Sequence, residues 1–74
     1  MAEQSNDLQK LMAVATDLTL SAKLRVKSIE LIGNIPTYEA LLALLQLAAN
    51  ERLTRNEREL ALKYAQKIVK KSRD

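Results

Sequence analysis

The side chains that could do chemistry in this sequence are carboxylates, hydroxyls and amines, because histidine and cysteine are both absent. Acid–base catalysis generally needs a histidine or two carboxylates held together. Glu57 and Glu59 are close in sequence, but a helix turns by about 100° per residue, so their side chains diverge. The serines have no histidine base, and with Gly33 as the only glycine a glycine-rich phosphate loop is excluded. We therefore expect no catalytic residue, no cofactor and no metal site.

Basic side chains gather towards the C-terminal end of the sequence. Residues 63–74 hold five cations and one acid, a net charge of +4, whereas the rest of the chain holds seven cations and eight acids. Such cations could contact the phosphates of a nucleic acid, and they also stabilise the negative end of a helix. The residues that could make these phosphate contacts are Lys63, Lys67, Lys70 and Lys71.

The N-terminal sequence and the apolar runs bear on location. Residues 1–7 lack a cationic segment followed by an apolar run, which is the pattern of a secretory signal. The longest uninterrupted apolar stretch, residues 40–45, is much shorter than the roughly 20 residues that cross a membrane. We therefore expect a cytoplasmic protein without a membrane span.

The elements that must position these side chains follow an internal repeat of 33 residues. Without a gap, Leu8 corresponds to Leu41 and Arg25 corresponds to Arg58. A repeat of this length is typical of stacked supersecondary units, none of which can bury its apolar face alone. No segment alternates with a period of two, and the apolar residues follow helical spacing. We predict a single all-α domain over residues 1–74, with repeat units at about 6–35 and 39–69 and a frayed basic tail at 70–74.

Four antiparallel helices, forming two helical hairpins, are predicted at about 6–16, 20–33, 37–50 and 55–71. The first is expected to begin at Ser5 or Asn6, which have capping side chains. Thr19 or Ser21 is expected to cap the second helix. Gly33 then supplies the left-handed conformation that often ends a helix.

Proline and a capping box mark the starts of the last two helices. Pro36 suits the first turn of the third helix, where its missing N–H is not needed. Thr54 and Glu57 form a T-x-x-E capping box at the start of the fourth helix. These signals place both helices of the second hairpin in the sequence.

The third helix is apolar around most of its circumference. By helical angle, only Glu39, Ala43, Gln46 and Asn50 form a stripe for water. A helix of this kind is buried on most sides, and a stack of only two units would leave part of it bare. We therefore expect the surplus apolar face to bind a partner or a second copy of the chain through Leu41, Leu42 and Leu45.

The second half of each unit resembles the HEAT-repeat pattern, in which an arginine is followed by a small residue and aliphatic residues. The first unit carries R-x-x-S-I-x-L-I-G from Arg25, and the second carries R-x-x-A-L-x-Y-A from Arg58. The L-I-G sequence also resembles short cyanobacterial HEAT-like relatives of phycobilin lyases. The resemblance implies stacked hairpins, with Asp17 as the acid that pairs with Arg25 and with Asn50 or Glu51 in that place for Arg58. A closed, compact four-helix bundle is the alternative packing.

The function expected from these features is that of a non-enzymatic interaction module, or of a small subunit or assembly factor in a larger complex. The absence of catalytic side chains and the presence of a helical repeat both favour this class. Its partner would be another protein or a second copy of itself. The alternative is a small nucleic-acid-binding protein that uses the basic C-terminal helix.

Overall fold

Four α-helices account for most of the chain. The computed structural model describes the backbone of residues 2–73 and the side chains of residues 7–71. The helices are α1 (Ala2–Ala15), α2 (Ala22–Gly33), α3 (Tyr38–Ala48) and α4 (Arg55–Arg73). The predicted all-α class is confirmed, and no strand occurs between residues 2 and 73.

Hydroxyl side chains begin three of the four helices. The Ser21 hydroxyl accepts a hydrogen bond from the Leu24 N–H (3.3 Å), and the Thr37 hydroxyl accepts one from the Ala40 N–H (3.2 Å). At α4 the predicted capping box is confirmed, because the Thr54 hydroxyl accepts from the Glu57 N–H. Each cap satisfies a backbone donor that has no partner inside its helix.

Several predicted helix ends are wrong by a few residues. The first helix begins at Ala2, so Ser5 and Asn6 lie within it and do not start it; their side chains are outside the described residues. Ala2, Glu3 and Gln4 are good helix formers, which extends the helix in the N-terminal direction. Pro36 lies before the Thr37 cap and not in the first turn of α3. Residues 70–73, predicted as a frayed tail, continue α4.

The helices form two hairpins that pack side by side. The α1–α2 and α3–α4 pairs make the largest contacts, and α2 also packs against α4 and α3. Across the described part of the chain, α1 and α4 do not touch. The shared core consists of small and aliphatic side chains, with Ile29, Ile32, Leu44 and Leu47 fully enclosed at its centre. The second helix of each hairpin therefore provides the main contact between the two hairpins.

Gly33 is required by packing and not by backbone conformation. No glycine has a positive φ, so the left-handed helix end predicted at Gly33 is wrong. The side chain of Tyr64 on α4 packs directly onto Gly33. A Cβ atom built on Gly33 would lie 2.8 Å from the Cβ of Tyr64, closer than two carbon atoms can pack. The missing side chain lets the C-terminal end of α2 approach α4.

Candidate functional site

A stripe on α2 is buried against the second hairpin. Its members are Arg25, Ile29 and Ile32, spaced by four and three residues so that they share one face of the helix. Arg25 at one end pairs with Glu57 of α4, and Gly33 at the other end contacts Tyr64 of α4. The stripe is therefore the surface of the first hairpin that the second hairpin covers.

The ion pair at the start of this stripe is buried and well connected. Arg25 Nε and Nη2 lie 3.1 and 3.0 Å from Glu57 Oε2. Arg25 Nη1 donates to the carbonyl of Leu20 (2.6 Å), while Glu57 Oε1 accepts from the Thr54 N–H (3.0 Å). Glu57 thus caps its own helix with one oxygen and binds the first hairpin with the other.

The surroundings of Glu57 keep it ionised. Burial raises the pKa of Glu57, but hydrogen bonds from the Thr54 backbone and the Arg25 side chain, with the Arg25 charge, outweigh it and lower the pKa. Hydrogen bonds of this kind favour the charged form of a carboxyl group. At neutral pH both residues are therefore charged, and they form an ion pair that joins the two hairpins.

Asp17, the acid implied by the HEAT resemblance, is not the carboxylate that pairs with Arg25. Its carboxylate accepts hydrogen bonds from the Thr19 N–H (2.9 Å) and hydroxyl (2.6 Å), and the hydroxyl bond is the main reason why the pKa of Asp17 is lowered. Only the backbone carbonyl of Asp17 faces Arg25, at 3.5 Å from Nη1. Sequence reasoning missed Glu57 in this role because its T-x-x-E pattern already explained it as a cap.

The equivalent stripe on α4 is open at its central residue only, because Ala65 at its end is buried in the core. A shift of 33 residues carries Arg25, Ile29 and Ile32 onto Arg58, Leu62 and Ala65. Ile29 is completely buried, whereas Leu62 is 44% exposed. Val69, two helical turns after Leu62, is 41% exposed. The two repeat positions therefore lie in different environments: one is covered by a hairpin and the other faces solvent.

Arg58 lacks the partner that Arg25 has. Its Nε is buried, yet among the described residues no acceptor lies within hydrogen-bond distance of it. Neither Asn50 nor Glu51, the residues implied by the resemblance, takes that place; the Asn50 side chain instead accepts from the Arg52 N–H (3.0 Å). A buried N–H without an acceptor is unfavourable. The stripe on α4 therefore begins with a buried hydrogen-bond donor that has no acceptor among the described residues.

Leucines from α3 complete the open surface. Leu41 and Leu45 of α3 face Leu62 and Val69 of α4 across a shallow groove of about 550 Å³. Gln66 and Lys70 provide its polar edge, on α4. We call this surface the open groove. It is mostly apolar and bordered by cationic residues on one side.

The predicted partner face corresponds in part to the open groove. Leu41 is half-buried and lines the groove, as does Leu45, which is 43% exposed. Leu42 is 42% exposed but does not line the groove. Ala43, predicted on the stripe that faces water, is buried in the core. Small side chains on a helix allow close packing, so Ala43 faces inward with Leu44, whereas Leu42 and Leu45 project outward.

The C-terminal lysines lie on the surface of α4. All four predicted phosphate-contacting residues, Lys63, Lys67, Lys70 and Lys71, are exposed and share one face of the helix. The Lys67 Nζ lies 5.3 Å from the centre of the Tyr64 ring, which is a cation–π distance. This basic face is next to the open groove, because Lys70 also lines it.

Two other kinds of site are absent from the part of the chain that the structure describes. Those residues contain no group of three or more carboxylates that could hold a metal ion. Within the same part of the chain, no helix is both long and apolar enough to cross a membrane. The candidate surfaces are the open groove and the basic face of α4, and the latter includes a cavity of about 510 Å³ that Lys67, Lys70 and Lys71 line.

Comparisons with known proteins leave the chain to be interpreted from its own residues. No protein family, no curated protein and no solved structure matches it.

Proposed function

We propose that this chain is a non-enzymatic, HEAT-like interaction module that binds another protein through the open groove. The observation that supports this proposal is the repeated stripe. On α2 it is buried by the following hairpin, whereas on α4 its central residue Leu62 is exposed, together with Val69 further along the helix. Exposed apolar surface of this kind, with a polar edge, is typical of protein-binding sites.

The size of the apolar surface supports the same proposal. Fully burying a leucine side chain contributes about 1.5–3 kcal/mol relative to leaving it exposed. Leu45, Leu62 and Val69 are each more than 40% exposed. A chain of this length has a stability of only about 4–11 kcal/mol, at 0.05–0.15 kcal/mol per residue. Covering the groove with a partner helix would therefore be a large favourable contribution, by the helix-in-groove mode of binding.

Partner capture with matched variants tests the proposal. Tagged full-length chain is incubated with extract of its native cell, and retained proteins are compared for wild type, Leu62→Glu and Leu24→Glu. Leu24 is a suitable control because it is 51% exposed on α2, away from the groove. We expect Leu62→Glu to lose the partner and Leu24→Glu to keep it, with unchanged circular dichroism for both variants. Loss with Leu24→Glu alone would contradict the proposal.

Whether a second copy of the chain occupies the groove is tested by a separate measurement. Sedimentation equilibrium of the wild type distinguishes a dimer from a monomer that needs a different protein. If the chain dimerises through the groove, Leu45→Glu should yield a folded monomer, whereas Leu44→Glu should unfold the chain because Leu44 is fully buried. Dimerisation unaffected by Leu45→Glu would place the contact outside the groove.

Nucleic-acid binding is the second candidate, favoured by the basic face of α4. Four lysines exposed on one helix face could neutralise about four phosphates, and the affinity would then fall steeply with salt. Retention on an RNA column at low salt, abolished when Lys63, Lys67, Lys70 and Lys71 are replaced by alanine, would favour this function. Retention that is insensitive to salt or to these substitutions would exclude it.

A further inference from the structure

The chain contains an example of how its own repeated stripe is covered. Arg25 begins the stripe on α2, and its guanidinium pairs with the carboxylate of Glu57, which lies in the first turn of the covering helix. Behind that ion pair, Ile29 and Ile32 are fully buried. The pattern for covering a stripe is thus a carboxylate in the first helical turn, followed by small and aromatic residues along the helix.

The stripe on α4 also begins with an arginine, but among the described residues no carboxylate pairs with it and no helix covers the leucine that follows. Arg58 corresponds to Arg25, and its buried Nε finds no acceptor in the described part of the chain. Leu62 corresponds to Ile29 and is 44% exposed. A covering helix that brings a carboxylate to Arg58 would satisfy the buried donor and exclude water from Leu62 in one step.

The first hairpin of a second copy, stacked in the repeat register, does not supply that carboxylate. If the first hairpin of another copy stacked on α3–α4 as α3–α4 stacks on α1–α2, the residue at the position of Glu57 would be Leu24. A leucine cannot accept a hydrogen bond, so Arg58 would become more buried and remain unpaired. Burying an unpaired charge in this way is strongly unfavourable. The expected occupant is therefore a different protein.

Charge around the groove favours an acidic occupant as well. Lys70 lines the groove, and Lys63 and Lys67 are exposed on the adjacent face of α4. Glu59 lies on the same face, where it pairs with Arg55. No acidic side chain lines the groove itself among the residues that the structure describes. A partner helix with carboxylates along one side would be electrostatically complementary to this border.

We propose that the open groove binds a helical hairpin of a partner protein, one helix of which carries an aspartate or glutamate in its first turn that pairs with Arg58. Residues that follow this acid then pack over Leu62 and Val69. This inference rests on the proposed function and defines the chemistry of the partner. It makes Arg58 a specificity-determining residue beside the groove, one helical turn before Leu62.

An extended chain tests the pairing with a defined probe. Residues 1–65 are followed by a second copy of residues 33–74, so that a hairpin of known sequence is joined in the repeat register. This places a second Gly33 at position 66 and a second Glu57 opposite Arg58. The double-mutant cycle combines Arg58→Met with replacement of the second Glu57 by glutamine, and urea denaturation gives the folded-to-unfolded equilibrium constant.

We expect the two substitutions to be coupled by about tenfold or more in that constant, as contacting residues are. The same cycle on Arg25 and the first Glu57 provides the internal reference. Arg55→Met is the matched control, because Arg55 is exposed and pairs with Glu59 on its own helix. Coupling at the reference pair but none at Arg58 would overturn the proposal.

The unextended chain provides a second readout. Because the buried Arg58 Nε has no hydrogen-bond partner to lose in the part of the chain that the structure describes, Arg58→Met should lower the equilibrium constant by no more than about threefold. If Arg58→Met instead lowers it by 100-fold, Arg58 already serves within the free chain and the proposal is wrong. Capture of a partner that is lost with Leu62→Glu and kept with Arg58→Met would retain the proposed function while overturning the carboxylate contact.

Discussion

Replacing Arg25 by methionine should destabilise the chain far more than any surface change. Methionine fills a similar volume but leaves Glu57, which is 1% exposed, without its cationic partner. Removing one member of a buried pair costs about 3–5 kcal/mol. Glu57 keeps its hydrogen bonds with Thr54, so we expect the lower end, about 3 kcal/mol. In a domain of this size that lowers the melting temperature by roughly 12–24 °C.

The assay is urea denaturation followed by circular dichroism at neutral pH. The matched control is Arg55→Met, which removes an exposed pair with Glu59 and should cost less than about 0.5 kcal/mol. Adding Glu57→Gln to Arg25→Met should restore part of the loss, because the amide oxygen still accepts from Thr54 and no charge is left unpaired. The reasoning would be refuted if Arg25→Met cost no more than Arg55→Met.

Three further predictions concern packing and pH. Gly33→Ala should lower the free energy of unfolding by about 1–3 kcal/mol through its clash with Tyr64, although alanine ordinarily stabilises a helix by about 0.5–1 kcal/mol; a more stable Gly33→Ala protein would contradict the close approach. Leu44→Ala should cost about 3 kcal/mol and the exposed Leu42→Ala less than about 1 kcal/mol, as urea denaturation would measure; equal losses would contradict the observed burial. Because the pKa of Glu57 is lowered in the folded state, its contribution is present above the ordinary glutamate pKa, about 4.3, and is lost as the pH falls further. The stability difference between wild type and Glu57→Gln should therefore shrink from pH 5 to pH 3, and a constant difference would count against the ionised pair.

Local sequence signals identified the helices and most of their starts. Apolar spacing placed all four helices, and the Thr54–Glu57 capping box is confirmed because capping depends on neighbours within one helical turn. For the second helix the sequence left Thr19 and Ser21 as alternative caps, and Ser21 is the residue that caps it. The first helix was placed too far along because Asn6 has a capping side chain wherever it lies. A residue type that favours a cap does not by itself show that a helix begins there.

Contacts between residues that are far apart in the chain could not be predicted from the sequence. The carboxylate of Asp17 lies nearer in the chain to Arg25, but the partner is Glu57, which comes close only when the hairpins pack. Gly33 looked like a helix end, although Tyr64 on another helix is what requires it. Leu62 joined the groove unforeseen, since its exposure depends on the absence of a covering helix and not on its own spacing.

Photo-crosslinking in the native cell tests most directly whether the open groove is the partner-binding surface. A photoreactive phenylalanine analogue is placed at position 62, at position 45, or at position 24 as the exposed control, and crosslinked peptides are identified by mass spectrometry. We predict that positions 62 and 45 crosslink to the same partner, at a helical segment that contains an aspartate or glutamate, and that position 24 does not. Crosslinks to a partner from position 24, with none from positions 62 and 45, would contradict the assignment.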